Sequence, residues 1–400
     1  MLRTVNLFGS SVEPAGDSPR RVLHVIKGLT VVGGAERLVL SLTSAGDRER
    51  FDYRVAHVLT RPSDHLLDQF RSVGVTVYGL GASNHYNLRW TSALRALIIR
   101  DRIDVVHLHL PYTATFGRLV VQSIRRPPRP RIVYTQHTPW DRTNLVTRAL
   151  NALTYPFDDV DIAVSAPTWS SLPRRFRLRT EVLVHGVAMD DLPDPISARK
   201  EIRSEFGVAG EDVLIATVAN MRKEKAYEVL LRAARLLVDE GLSVRFVAVG
   251  HGPLEDEVRS LRDELRLRDR FLLTGFRSDA QRIVAGADVF VLASRYEAFP
   301  ISVMEALAAG VPVVSTAVGD LPRVVGATGA GLIVPPGDVD ALAEGLRTLV
   351  LKPEQRMRMA ESARNVGSTF DIQRAAARLE EIYSAPQSHP SKTEQPGLSG

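Results

Sequence analysis

The chain has 400 residues, of which 44% are apolar and 24% charged. That is a globular composition, and the length points to two domains of roughly 150–190 residues each, not one. It contains no cysteine, which excludes a disulfide framework, a thiolate nucleophile and any cysteine-ligated metal site. The net charge of +5 is unevenly placed: residues 1–200 hold 27 Lys+Arg against 18 Asp+Glu, and residues 201–400 hold 24 against 28.

The first twenty residues, MLRTVNLFGSSVEPAGDSPR, lack the continuous apolar core of a secretory signal and read as a disordered leader. Residues 386–400, rich in Pro, Ser, Gly and Gln, read as a disordered tail. No apolar run approaches the roughly 18 residues that span a bilayer, so the expected location is cytoplasmic. Two arginine runs, RRPPRPR (125–131) and PRRFRLR (173–179), hold much of the basic surplus. They read either as solvated loop arginines or as an attraction to an anionic membrane or phosphorylated acceptor. No aromatic interleaving accompanies them, so nucleic acid is not an expected partner.

Along the first half, strands are predicted at 21–26, 53–59, 75–80, 104–109, 131–136 and 161–165, with amphipathic stretches such as 35–45 and 91–100 between them. The pattern pauses at MDDLPDPISARK (189–200) and restarts with strands at 212–219, 244–250, 270–275, 288–293, 311–315 and 331–335. Near-continuous apolar strands separated by helices indicate parallel sheets covered on both faces. The fold class is therefore α/β, two doubly wound domains spanning 21–190 and 191–370. A last helical segment (371–385) either extends the second domain or crosses back to the first.

In such folds, ligands sit outside the carboxyl ends of the strands. The loops at those ends carry the candidate site. Gly33 and Gly34 follow the first strand and open a helix, either to bring bare amides near a phosphate or as a tight turn alone. His107 and His109 alternate on one strand face and read as core or edge histidines, whereas His137 lies in a loop just past the fifth strand. ANMRKEK (219–225) places Arg222 and Lys225 where two cations suit a diphosphate, or form a charged surface turn. Gly250, Phe276 and Arg277 end the next two strands and offer backbone to a base or ribose. No residue spacing argues for a metal site, and Asp338 reads as a helix cap.

The segment SRYEAFPISVMEALAAGVPVV (294–314) is the most informative. It sets Glu297 in a strand-to-helix loop and Glu305 on the helix that follows. Pro300 is predicted at the first helical position, Ile301 to Ala309 form the helix, Gly310 closes it and Pro312 blocks continuation. A carboxylate beside a positive helix end at a ligand-binding sheet edge suits a polyhydroxyl, phosphate-bearing ligand.

With GGAERLV (33–39), DVVHLH (104–109), His137 and Lys225 in the same order, Glu297-x7-Glu305 and its trailing EALAAGVPVV resemble the retaining glycosyltransferases of family 4 over roughly residues 21–385. That resemblance implies the two-domain glycosyltransferase-B fold, with two Rossmann-like domains facing across a cleft. It implies that Glu297 binds donor-sugar hydroxyls, that Glu305 binds the ribose, and that backbone at Ala298, Phe299, Pro300 and Ile301 faces sugar and phosphates. Lys225 would bind the diphosphate, Gly33 or Gly34 would close over it, His137 would reach the sugar, and Phe276 and Arg277 would lie near the base. The family's GRLxxxKG arginine is replaced here by Asn220, with Arg222 two residues on. Ala226 stands for the following glycine, His185 for the asparagine of NGV, and Arg323 for a glutamate.

The implied activity is metal-independent transfer of a sugar, with retention, from a UDP- or GDP-sugar to a saccharide or lipid-linked acceptor in envelope or extracellular polysaccharide or glycolipid synthesis. No cofactor is expected. Peripheral contact with the inner face of an anionic membrane and domain closure about residues 189–197 are further expectations. Two alternatives use the same fold: a sugar-nucleotide epimerase and an inactive sugar-nucleotide-binding scaffold.

Overall fold

The structure, a computed structural model, describes residues 18–29, 34–59, 66–84, 87–125 and 129–386. The expected leader up to residue 17, Gly33, residues 126–128 of the first arginine run and the tail beyond residue 386 lie outside the described residues.

Seven strands make the first sheet: β1 (Arg20–Ile26), β2 (Phe51–Leu59), β3 (Thr76–Ala82), β4 (Val105–His109), β5 (Arg131–Gln136), β6 (Val160–Ala163) and β7 (Thr180–Val182). Six make the second: β8 (Val213–Val218), β9 (Val244–Val249), β10 (Phe271–Gly275), β11 (Val289–Leu292), β12 (Val313–Thr316) and β13 (Gly331–Val334). All pairings are parallel, in the orders β3-β2-β1-β4-β5-β6-β7 and β10-β9-β8-β11-β12-β13. Both sheets therefore reverse direction beside their first strand, the switch point where doubly wound folds bind ligands. The short edge strand β7 was not legible as a strand, because Thr-Glu-Val has no room to show alternation. Arg20 already belongs to β1, one residue inside the expected leader.

Register fixes which side chains meet. Val22, Val105 and Val133 share one face of the first sheet, and two residues further on so do His24, His107 and Thr135. That face is covered by the helices Gly34–Ala45 and Ile372–Ser384. The last helix thus crosses back to the first sheet. Tyr383 donates or accepts at His107 Nδ1 (2.6 Å), Tyr53 donates to Glu380 (2.8 Å), and Arg378 forks onto Glu181 (2.7 and 2.8 Å).

The outgoing and returning connections run side by side. Val187 N donates to Phe370 O (2.8 Å) and Ile372 N donates to Val187 O (3.0 Å). Gly186 is what allows the crossing, since a Cβ there would sit 2.3 Å from Phe370 O. The second arginine run is helical over Arg174–Arg177, with Arg174 and Arg175 exposed as a solvated run predicts, but Arg179 pairs with buried Asp161 at 2.6 Å. Arg131, from the first run, is a buried strand residue bonded to Ala385 O at 2.9 Å. For Arg131 and Arg179 a carbonyl or carboxylate close in space engages a guanidinium that local sequence leaves looking exposed.

Candidate active site

The loops after the strands of both sheets line one cleft of about 560 Å³. Glu297 is firmly anchored there. Ser294 Oγ donates to Glu297 Oε1 at 2.7 Å, and Lys225 Nζ pairs with the same oxygen at 2.5 Å. The backbone beneath is held too: Thr316 Oγ1 donates to Ser294 O (2.6 Å), and Gly319, at φ +55, lies where a Cβ would be 2.5 Å from Ala298 O. The turn at residues 318–320 is thus pressed against the carboxylate loop, which leaves Glu297 little freedom.

Pro300 precedes the helix Ile301–Ala308 as its cap residue, one position earlier than the first helical residue. Its ψ of 129 is extended, so the chain turns into the helix only at Ile301. Gly310 ends the helix at φ +72, as a left-handed cap requires. Ala298 and Ile301 border the cleft, whereas the Phe299 ring packs into the core against Phe370 at 5.3 Å. Glu305 is buried and accepts from Gln281 Nε2 at 2.9 Å. Burial raises its pKa, partly offset by Arg37 from the first domain and by the Gln281 hydrogen bond.

Asn220, Arg222 and Lys225 come together on the turn that leaves β8. Lys225 N donates to Arg222 O (2.9 Å), and the turn ends at Ala226 with φ +50. The glycine usual there is explained by that left-handed geometry, and Ala226 accepts the strain in its place. Gly250 (φ +144) lets the neighbouring loop touch β8's: a Cβ would lie 2.0 Å from Ala219 O. Phe276 presents an exposed ring, met edge-on by His251 at 6.1 Å. Arg277 borders the cleft but is tied to Asp279 (2.7 and 2.8 Å) and Glu205 (2.6 Å), so its charge is already compensated within the second domain.

The first domain contributes histidines. His137 Nε2 meets His109 Nδ1 at 3.0 Å, and His109 Nε2 meets His24 Nδ1 at 3.0 Å. His107 is satisfied separately by Tyr383 and Thr135. Burial pulls His24 and His137 down to about 3 and His185 to about 4, so these imidazoles are neutral. His24, His107 and His109 bring ring nitrogens within 4.8 Å of one another. The His107 and His109 rings nevertheless stack, centroids 4.3 Å apart and 28° between planes, so their in-plane lone pairs do not converge on one ion. Leu110, the next residue, holds φ 71 and ψ 144 at the cleft wall, a conformation that costs a non-glycine residue about 1–3 kcal/mol.

Gly34 opens its helix at the cleft. Glu36, two residues on, is raised to about 7 by burial, against the pull of its backbone hydrogen bond, Lys27 and Arg222. Every candidate residue read from the sequence, apart from Gly33, borders this one cleft. Sequence reasoning missed Ser294, Gln281, Glu36, Arg37 and Tyr296. Ser294 opens the informative segment 294–314 without being singled out in it, and Gln281 acts on Glu305 from a position with no motif. Glu36 and Arg37 lie inside GGAERLV and were legible only as helix residues.

The second half of the chain (residues 198–366) matches the family described as glycosyl transferases group 1, and the first half (32–190) matches Glycosyltransferase Family 4. The D-inositol 3-phosphate glycosyltransferase of Saccharomonospora viridis is 30% identical over 313 residues, 75% of this chain and 68% of that protein. The chain belongs to the family 4, group 1 glycosyltransferases. This glycosyltransferase is also 25% identical to the N-acetyl-alpha-D-glucosaminyl L-malate synthase of Bacillus anthracis over 322 residues, 78% of the chain and 83% of the relative. An Escherichia coli UDP-Gal:alpha-D-GlcNAc-diphosphoundecaprenol alpha-1,3-galactosyltransferase aligns at 22% over 91% of the chain and 96% of its own. Among solved structures, Anabaena HepE in complex with UDP and glucose superimposes with a TM-score of 0.79 at 19% identity, covering 91% of this chain and 99% of that one. That likeness establishes the glycosyltransferase-B architecture of two Rossmann-like domains.

Proposed function

We propose that this glycosyltransferase moves a sugar, with retention of configuration, from a nucleoside diphosphate sugar to a saccharide or lipid-linked acceptor of envelope or extracellular glycan synthesis. The observation that carries the reading is the Glu297 carboxylate, held by Ser294 and Lys225 at the carboxyl edge of the second sheet. In this reading Glu297 accepts hydrogen bonds from donor-sugar hydroxyls, and Glu305 accepts from the ribose. Lys225 and Arg222, with the amino end of the helix Ile301–Ala308, stabilise the departing diphosphate. Phe276 offers a face to the base. His137, neutral and on the opposite domain, contacts the donor sugar. Protein cations and a helix dipole supply the charge stabilisation, so the reaction needs no metal, and no cofactor is assigned.

The acceptor class rests on relatives: the E. coli galactosyltransferase is named for a diphosphoundecaprenol-linked acceptor. Closure of the domains would pivot where residues 186–187 cross residues 370–372, because donor groups come from both sides of the cleft. A thermal-shift panel of UDP- and GDP-sugars should single out one donor. That donor should release nucleoside diphosphate slowly, in EDTA as well as in magnesium, and Glu297→Ala and Lys225→Ala should abolish the release. Tight binding with no turnover toward any acceptor would instead mark a scaffold, and isomerised donor an epimerase.

A further inference from the structure

The helix Leu145–Thr154 exposes the side that a packed helix hides. Leu145, Val146 and Leu153 are 71%, 70% and 73% exposed, and Leu150 is also exposed, while Asn151 and Thr154 point inward. At about 100° per residue, these four aliphatics fall within roughly 140° of the helix circumference, one continuous stripe. Phe176 stacks on Tyr155 at 4.2 Å and lies 5.4 Å from Trp140, which packs the basic helix Arg174–Arg177, followed by Leu178 at 81% exposed, beside the end of this helix. Residues 142–157 and 162–180 contain no Asp or Glu. Arg174 and Arg175 are exposed, and neither has an ion-pair partner among the described residues. Just before the apolar stripe, the Arg142 guanidinium lies 4.8 Å from the Tyr296 ring centre, next to Glu297 in the cleft.

We propose that this face of the first domain docks onto an anionic lipid bilayer, with the Leu145–Leu153 stripe entering the interface and Arg174 and Arg175 meeting lipid phosphates. Aliphatic tips flanked by unpaired arginines, with no acidic residue among them, match a negatively charged apolar surface. A second copy would set arginines against arginines. The docked helix leads directly to the cleft, so an acceptor anchored in the same bilayer would enter beside Tyr296. That last step rests on the lipid-linked reading of the acceptor.

Flotation of the full chain with phosphatidylcholine vesicles, with and without phosphatidylglycerol, tests the docking. Binding should require the anionic lipid and weaken with salt. It should fall at least tenfold both in Leu145→Ser/Leu153→Ser and in Arg174→Gln/Arg175→Gln, each arginine being worth about fivefold. Both variants lie outside the cleft and should keep wild-type donor hydrolysis. Loss of hydrolysis in the wild type would therefore sink the transferase reading without touching the docking. Failure of the wild type to float, or flotation unchanged in either variant, would overturn the docking. So would a wild-type dimer by light scattering that the leucine variant turns into monomer.

A separate observation concerns the histidine chain. His24 Nε2 is buried without a hydrogen-bond partner among the described residues. An orphaned N–H is rarer in proteins than an orphaned acceptor, which puts the His24 proton on Nδ1. It then donates to His109 Nε2, so His109 must carry its proton on Nδ1 and donate to His137 Nε2. We infer that His24 is a positioning residue that fixes His137 in the Nδ1–H tautomer, leaving an N–H donor for a hydroxyl of the sugar. Nitrogen NMR of protein labelled at histidine should show Nδ1–H at His137. His24→Phe should redistribute that proton and lower kcat severalfold with donor KM little changed, and His24→Asn, whose amide can still donate, should restore both. An Nε2–H His137 in the wild type, or a tautomer indifferent to His24→Phe, would overturn the relay.

Discussion

Two ion pairs, one in each domain, are finished differently. In the first, Arg118 forks onto Asp158 (2.7 and 2.6 Å), donates to Asn151 Oδ1 (2.6 Å) and Thr154 (3.0 Å), and sits 4.5 Å over Tyr134, with both partners' side chains 0% exposed. In the second, Lys225 and Glu297 keep 16% and 12% of their side-chain surface and share one carboxylate oxygen at the cleft edge. A saturated pair holds structure, because every donor already has its partner. A pair with bonding capacity left over faces the place where a ligand supplies the rest. The same contrast separates the two walls of the cleft: neutral, interlocked histidines on one side and carboxylates with cations on the other.

The largest effect that tests this contrast is on stability. Arg118→Leu should cost about 3–5 kcal/mol in urea unfolding, since it leaves Asp158 buried and unpaired, whereas Lys225→Ala should cost under about 1 kcal/mol. Equal losses would erase the distinction. Next come the catalytic losses. Glu297→Ala and Lys225→Ala should each lower kcat/KM by about 10²–10³-fold, and the double variant should fall short of the product because the pair is coupled. His137→Ala should lower kcat by about tenfold and leave nucleoside diphosphate affinity within about twofold, as a group on the opposite wall must. A matching loss of nucleotide affinity would show that the walls do not divide the donor this way.

Smaller effects follow. Glu36 is raised to about 7 in the folded chain, so the fold favours its protonated form. That preference is harmless below the ordinary carboxylate pKa and becomes destabilising as pH rises through 7. Glu36→Gln should therefore raise the melting temperature at pH 8.5 and lose that advantage toward pH 5, and a constant difference across pH would refute the assignment. Ala226→Gly should stay within about 1 kcal/mol of wild type in the same unfolding assay. Relief of the positive φ offsets a lost buried methyl group, whereas Ala226→Val should be plainly destabilising.

The sequence specified most of the frame because its strands are nearly unbroken apolar runs set between helices, a pattern that only a parallel, doubly covered sheet explains. Glu297, Glu305 and Lys225 were legible because a strand end, a proline and a glycine punctuate their loops. The edge strand β7 was too short to show a period. Arg131 and Arg179 looked like surface charge because their partners, Ala385 O and Asp161, are remote or hidden by register.

By itself the sequence determined two parallel α/β units and the loops that line the cleft, since hydrophobic period and turn chemistry are local properties. Tertiary structure decided what those loops do together. Strand register lined His24 up with His107 and brought His109 to His137. The return of the last helix gave His107 its partner Tyr383. Packing of the helix Leu145–Thr154 turned an ordinary amphipathic stretch inside out. Each of these depends on which distant segments share a sheet edge or a face, and residues far apart in the chain record that only once the chain has folded.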